Sequence, residues 1–129
     1  MPIAEHQLIK QKIAFMQQWY DAARLLYFRA GWLKNEGKRN TRETALAKWY
    51  ATDHSVKAAL EAVQLHGAYG FSDHYDVERY LRNAKGATIY EGSSEIQQLL
   101  QADYALGFRK DRPISREPVP YDADEWQAE

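Results

Sequence analysis

Glu91 lies in the run Ile89-Tyr90-Glu91-Gly92-Ser93-Ser94, a single carboxylate between an apolar pair and a glycine, just ahead of an apolar helical stripe. A carboxylate on a short connector, close to the free N–H groups that open a helix, has the fixed position and the donors that proton abstraction requires. A loop glutamate is more often simply solvated, and the residues alone leave both readings open. A second stretch, Gln64-Leu65-His66-Gly67-Ala68-Tyr69-Gly70, puts two glycines after an apolar stripe. Backbone bending there can approach a ligand closely, or it can merely end a helix. His54, His66 and His74 lack any spacing suited to a metal, so no metal centre is expected. Arg79 and Arg82 sit one turn apart, which usually marks a solvated or ion-paired face rather than a phosphate grip.

These residues need elements to position them, and apolar positions recurring at three and four supply helices. The stripe Ile9, Ile13, Met16, Trp19/Tyr20, Ala23, Leu26/Tyr27, Ala30, Leu33 predicts a long amphipathic helix stopped at Gly37. Asn40 with Glu43 three residues on reads as a capping box for a second helix over 41–66. Its stripe is Leu46, Trp49/Tyr50, Asp53, Val56, Leu60, Val63. The aromatics of these stripes read as core. Two helices joined by a short polar loop should pack as an antiparallel hairpin. Residues 67–75 read as a glycine-punctuated loop, residues 76–85 as a shorter helix broken by Gly86, and "ATIYEG" as a connector. Ser93 or Ser94 should cap a last helix carrying Ile96, Leu99, Leu100 and Tyr104, stopped at Gly107. No stretch alternates at period two, so the expected fold is all-α, an antiparallel up-and-down helix bundle over 1–108. Residues 109–129, which hold three of the four prolines, read as an extended polar tail.

With 129 residues, 45% hydrophobic and 13% aromatic, the chain has one domain's worth of core. Its net charge of −1, with basic residues dispersed, gives no electrostatic case for nucleic acid or an anionic membrane. The absence of cysteine excludes disulfides and thiol chemistry. No apolar run approaches the roughly 20 residues of a membrane span, and "MPIAEHQ" has no signal-peptide pattern, so a cytoplasmic location is the default expectation.

The run "AVQLHGAYGFSDHYDVERYLRNAKGATIYEGSSEIQQLL" resembles the C-terminal signature of the acyl-CoA dehydrogenases. In that family a Q-L-x-G-G-x-G-Y/F loop precedes a V-E-R-x-x-R-D-A-K helix and then I-Y-E-G-T-S-E-I-Q. All three motifs occur here in that order and spacing. "EGKRNTRETALAKWYA" and "PIAEHQ" fit the pattern too, so the resemblance spans most of residues 2–107. It implies an enzyme that removes hydrogens from the α and β carbons of an acyl-CoA thioester and passes a hydride to FAD. Glu91 then corresponds to the catalytic base that takes the α-proton, with its backbone N–H helping to bind the thioester carbonyl. Gly92 corresponds to the adjoining substrate contact, and Ser93, Ser94 and Glu95 to the segment at FAD. Gln64, Leu65, His66, Gly67 and Ala68 correspond to the loop that meets a neighbouring subunit's FAD, and Gln7 to the glutamine that ends a cofactor motif.

The resemblance further implies a homo-oligomer, dimer or tetramer, with an electron-transfer flavoprotein as acceptor. Ala68 replaces the second glycine of the loop, Ser93 a threonine and Asn83 an aspartate. Family members are around three times longer, so the chain reads as a C-terminal segment that is inactive by itself. Two other readings are a non-catalytic helical oligomerisation or binding module derived from the family, and a related flavoprotein with another reaction.

Overall fold

A computed structural model describes residues 2–111 of the chain. After a 3-10 turn at Ile3–Glu5 come four helices: α1 Gln7–Asn35, α2 Thr41–Leu65, α3 Val77–Ala87 and α4 Ser94–Ala105. No strand occurs among the described residues, and the fold is the expected all-α bundle. The 67–75 stretch is more ordered than a loop: Gly67–Phe71 winds a second 3-10 turn.

α2 is the hub. α1, α3 and α4 each pack on it, and none of those three packs on another. Lys12 of α1 pairs with Glu61 near the end of α2, whereas Arg29 reaches Glu43 near its start at 3.7 Å. α1 and α2 are therefore antiparallel, as the short polar loop required. Ser94 at the head of α4 bonds Asp53, and Gln101 further along donates to the Arg42 carbonyl at 2.9 Å, so α4 too runs against α2. α3 lies beside the later half of α2, with Glu78, Leu81 and Arg82 near Val63 and with Lys85 and Thr88 near Asp53 and Val56. α3 and α4 thus form one interrupted third pass along α2, and the interruption is the connector that carries Glu91.

Four local expectations need correction. Neither serine caps α4 through its side chain: Ser93 stands at the N-cap position without a side-chain cap bond, and the Ser94 hydroxyl goes to Asp53 of α2. Asn40 makes no side-chain cap; its amide donates instead to the Ala30 carbonyl of α1 at 2.9 Å, while Glu43 turns to Arg29. A neighbouring helix offered those groups partners that an isolated capping box lacks. Gly86 does not break α3, which continues to Ala87. One glycine costs a helix only about 1 kcal/mol, less than packing on α2 returns, and even an added Cβ there would meet the Tyr90 ring only at an ordinary contact distance of 3.6 Å. Ile13, Tyr20 and Tyr27, placed on the core stripe of α1 by periodicity, are all about half exposed or more. The half-buried positions of α1 follow a narrower line through Ile9, Met16, Trp19, Ala23, Leu26 and Leu33.

The buried apolar residues are Ala30, Ala45, Ala47, Ala59 and Val77. Small side chains there let the helices approach closely, and no large side chain is fully enclosed. Phe15, Leu25, Phe28, Trp32, Leu60 and Leu99 stay exposed. Of the polar tail expected from 109, only Arg109–Asp111 falls within the described residues, and these three belong to no regular element.

Candidate functional site

The connector between α3 and α4 is built from both sides. α3 ends with the Thr88 N–H and hydroxyl donating to the Lys85 carbonyl, and the Tyr90 N–H reaches back to the Gly86 carbonyl at 3.2 Å. The Ser94 N–H then donates to the Thr88 carbonyl at 3.0 Å, closing residues 88–94 into a small ring. Within that ring Glu91 has φ 54 and Gly92 φ 91. Glycine adopts such angles freely. A glutamate there sits in the left-handed region, which costs roughly 1–2 kcal/mol and persists only when its surroundings impose it. Among the described residues Glu91 is the one non-glycine residue with positive φ.

Bonds from two other helices converge on this ring. The Lys48 ammonium, rising from the first half of α2, donates to the Tyr90 carbonyl at 2.9 Å and also to the Gly92 carbonyl. Gln97 of α4 adds its amide to the Gly92 carbonyl at 3.3 Å. Ser94 is buried and gives its hydroxyl to Asp53 Oδ1 at 2.5 Å, while the Trp49 indole N–H donates to Asp53 Oδ2 at 2.9 Å. The Glu91 side chain is exposed, and its N–H has no hydrogen-bond partner among the described residues. A carboxylate and a free donor thus share one residue.

Next to the connector lies a cleft of about 340 Å³, lined by Lys57, Lys85, Ser93 and Glu95 among others. Two ammonium groups, two carboxylates and the Ser93 hydroxyl share this cleft with the apolar Val56 and Ile89. Glu95 holds its carboxyl below the ordinary carboxylate value because its own backbone N–H and then the Ser93 hydroxyl favour the charged form.

The residues singled out in the sequence fall into two groups. Glu91, Gly92, Ser93, Ser94 and Glu95 are together, although Ser94 turns inward to α2 rather than outward. Gln64, Leu65, His66, Gly67 and Ala68 close α2 at its far end, about 24 Å from the level of Lys48 at 1.5 Å per residue. Gln7 opens α1 and, through the antiparallel pairing, lies toward that same end. Gly67 has φ 58, whereas Ala68 needs no positive φ and stands in place of a glycine without that strain. Lys48, Asp53 and Gln97 escaped the sequence reading. Asp53 left one signal, an acid inside an apolar stripe; Lys48, between Ala47 and Trp49, left none. The described residues contain no cluster able to hold a metal and no helix long and apolar enough to cross a membrane.

The family model described as "Acyl-CoA dehydrogenase, C-terminal domain" matches residues 1–106. An acyl-CoA dehydrogenase of Bacillus subtilis is 48% identical over 106 residues, which is 82% of this chain and 28% of that protein. Cyclohexane-1-carbonyl-CoA dehydrogenase of Geobacter metallireducens is 42% identical over 101 residues, 78% of this chain and 27% of its own length. Among solved structures, butyryl-CoA dehydrogenase from Megasphaera elsdenii superposes with a TM-score of 0.80 at 40% identity, covering 82% of this chain and 28% of that one. A structure of the electron transferring flavoprotein of Acidaminococcus fermentans contains a chain with a TM-score of 0.79 at 38% identity, covering 81% of this chain and 27% of that one. The present chain spans little more than a quarter of the length of these relatives.

Proposed function

The chain belongs to the acyl-CoA dehydrogenase family as its C-terminal helical domain, and from that premise we propose that Glu91 is the base of an FAD-dependent α,β-dehydrogenation of an acyl-CoA thioester. The observation that carries the reading is the state of Glu91 itself: exposed, at φ 54, on a connector tied to α2. Strain maintained by surrounding structure is characteristic of residues whose geometry serves function. The carboxylate takes the α-proton. The unpartnered Glu91 N–H donates to the thioester carbonyl as the α-carbon becomes anionic, and one such donor contributes about 3 kcal/mol. Gly92, without a side chain, lets the acyl group approach the connector.

When bound, FAD supplies the acceptor for the hydride that leaves the β-carbon. Ser93 and Glu95 line the polar cleft that would hold part of it, and buried Ser94 serves by fixing the start of α4 through Asp53. Gln64–Ala68, with Gln7 toward the same end, forms the second cofactor contact, facing the FAD of a neighbouring subunit in a homo-oligomer. The exposed apolar faces of α1 and α4 support burial against further protein. An electron-transfer flavoprotein serves as acceptor and the cytoplasm as location. Activity belongs to the longer polypeptide, and the segment described by itself does not turn over acyl-CoA.

The test is flavin bleaching by a panel of acyl-CoAs in the complete enzyme. Glu91→Gln should lower the bleaching rate by about 10²- to 10⁴-fold, as expected for loss of a general base, with FAD and ligand still bound. Bleaching at the wild-type rate would assign the base elsewhere, and a protein with no flavin affinity would make the bundle an oligomerisation module.

A further inference from the structure

We propose that Lys48 is the positioning residue of this site: its ammonium, bonded to the carbonyls on either side of Glu91, holds the base in its left-handed conformation and polarises the peptide that bears its N–H. The proposal rests on the reading of Glu91 as the base. Lys48 lies 42 and 44 residues from Tyr90 and Gly92 and comes from a different helix, so the contact is not a by-product of local folding. Among the described residues its ammonium pairs with no carboxylate. A half-buried cation that bonds two backbone carbonyls and no acid is placed for those carbonyls.

The geometry explains why two carbonyls are needed. A residue at φ 54 reverses the local path of the chain, and one ammonium bonded to the carbonyls before and after it makes the extended and right-handed alternatives lose a charge-assisted bond each. Those bonds offset the strain of the left-handed glutamate. The Tyr90 carbonyl also belongs to the same peptide group as the Glu91 N–H. Donation by a cation to that oxygen draws electron density from the amide and strengthens the N–H as a donor, since hydrogen bonds in series polarise one another. Lys48 therefore aims the carboxylate and sharpens the donor without touching substrate.

Two measurements decide this. In the complete enzyme, Lys48→Met and Lys48→Arg are compared with wild type and with Glu91→Gln for flavin content, acyl-CoA affinity and bleaching rate. Lys48→Met should keep flavin and ligand affinity while bleaching slows about 10²-fold, the scale of a misplaced catalytic group, and Lys48→Arg should recover most of the rate. Lys48→Leu, which removes the ammonium with a branched apolar side chain, replaces the Met variant if the latter does not fold, with the same slowing expected and an unchanged rate counting against the proposal. Bleaching unchanged in Lys48→Met while Glu91→Gln is dead overturns the proposal and leaves the base assignment standing, as does loss of flavin in step with rate. Glu91→Gln bleaching at the wild-type rate instead sinks the base assignment. The hold on the backbone is then read separately from amide resonances of Glu91 and Gly92 in the 129-residue chain: Lys48→Met should shift both, and unshifted resonances overturn the hold whatever the catalytic outcome.

Discussion

The connector after α3 and the turn before it both carry glycines at bends and both rest on α2, yet they are held in opposite ways. The connector is tied from afar: Lys48 reaches Tyr90 and Gly92, and Asp53 reaches Ser94, across 41 to 44 residues of chain. The turn is tied from within. Ser72 donates to the Tyr69 carbonyl, the His74 N–H donates to Ser72 Oγ, and the rings of His66, Tyr69, His74 and Tyr75 pack on one another. Its link to α2 is steric, through Gly70, which is buried against the last turn of that helix. Cross-chain polar ties can hold a strained residue in one geometry. Local ties shape a turn but leave Phe71 at 92% exposure.

That contrast predicts where each region breaks. The largest effect on stability belongs to Gly70→Ala, because an added Cβ would lie 2.2 Å from the Val63 carbonyl oxygen, and backbone cannot move aside as a flexible side chain can. Unfolding of the 129-residue chain by urea should show a loss of about 3 kcal/mol, at the upper end for overpacking. A loss below 1 kcal/mol would mean that the turn is free to slide on α2. Next comes Asp53→Ala, which leaves the Trp49 indole and the Ser94 hydroxyl without their acceptor. The expected cost is about 2 kcal/mol, and it should appear in hydrogen exchange as faster opening of α4 than of α3. Equal protection of both helices would argue that Asp53 does not tether the connector.

The smallest effect comes from Glu95. Its carboxyl is held below the ordinary value of 4.5 in the folded chain, so its contribution is fully present above 4.5 and is lost as pH falls through the lowered folded value. Glu95→Gln removes that contribution at every pH. The midpoint difference between wild type and variant should therefore be largest near neutrality and vanish in acid. The carboxyl is fully exposed, so the difference is small, and one that grew in acid would reverse the assignment.

How much of this was legible beforehand divides along the same line. The four helices could be read from apolar spacing and from Gly37 and Gly107, since periodicity and punctuation are properties of adjacent residues. The position of Glu91 on a connector followed from the same marks. Its strained backbone angle did not, because a glutamate carries no preference for the left-handed region and the bonds around it include two from Lys48, more than 40 residues away. Asn40 taught the same lesson in reverse: its local signal was a cap, and a carbonyl ten residues away on α1 took the side chain instead. Ile13, Tyr20 and Tyr27 fitted the stripe, but a helix touched along one line by α2 buries only a narrow strip.

Local order along the chain was enough to establish an all-helical domain of this family, the ends of its helices to within a few residues, and the acid to watch. That α3 and α4 lie in line along α2 with Glu91 at the gap, and that Lys48 and Asp53 close on that gap, came from packing alone. Those contacts join residues more than 40 positions apart, and their energies depend on which helix faces meet, a choice that no local pattern encodes.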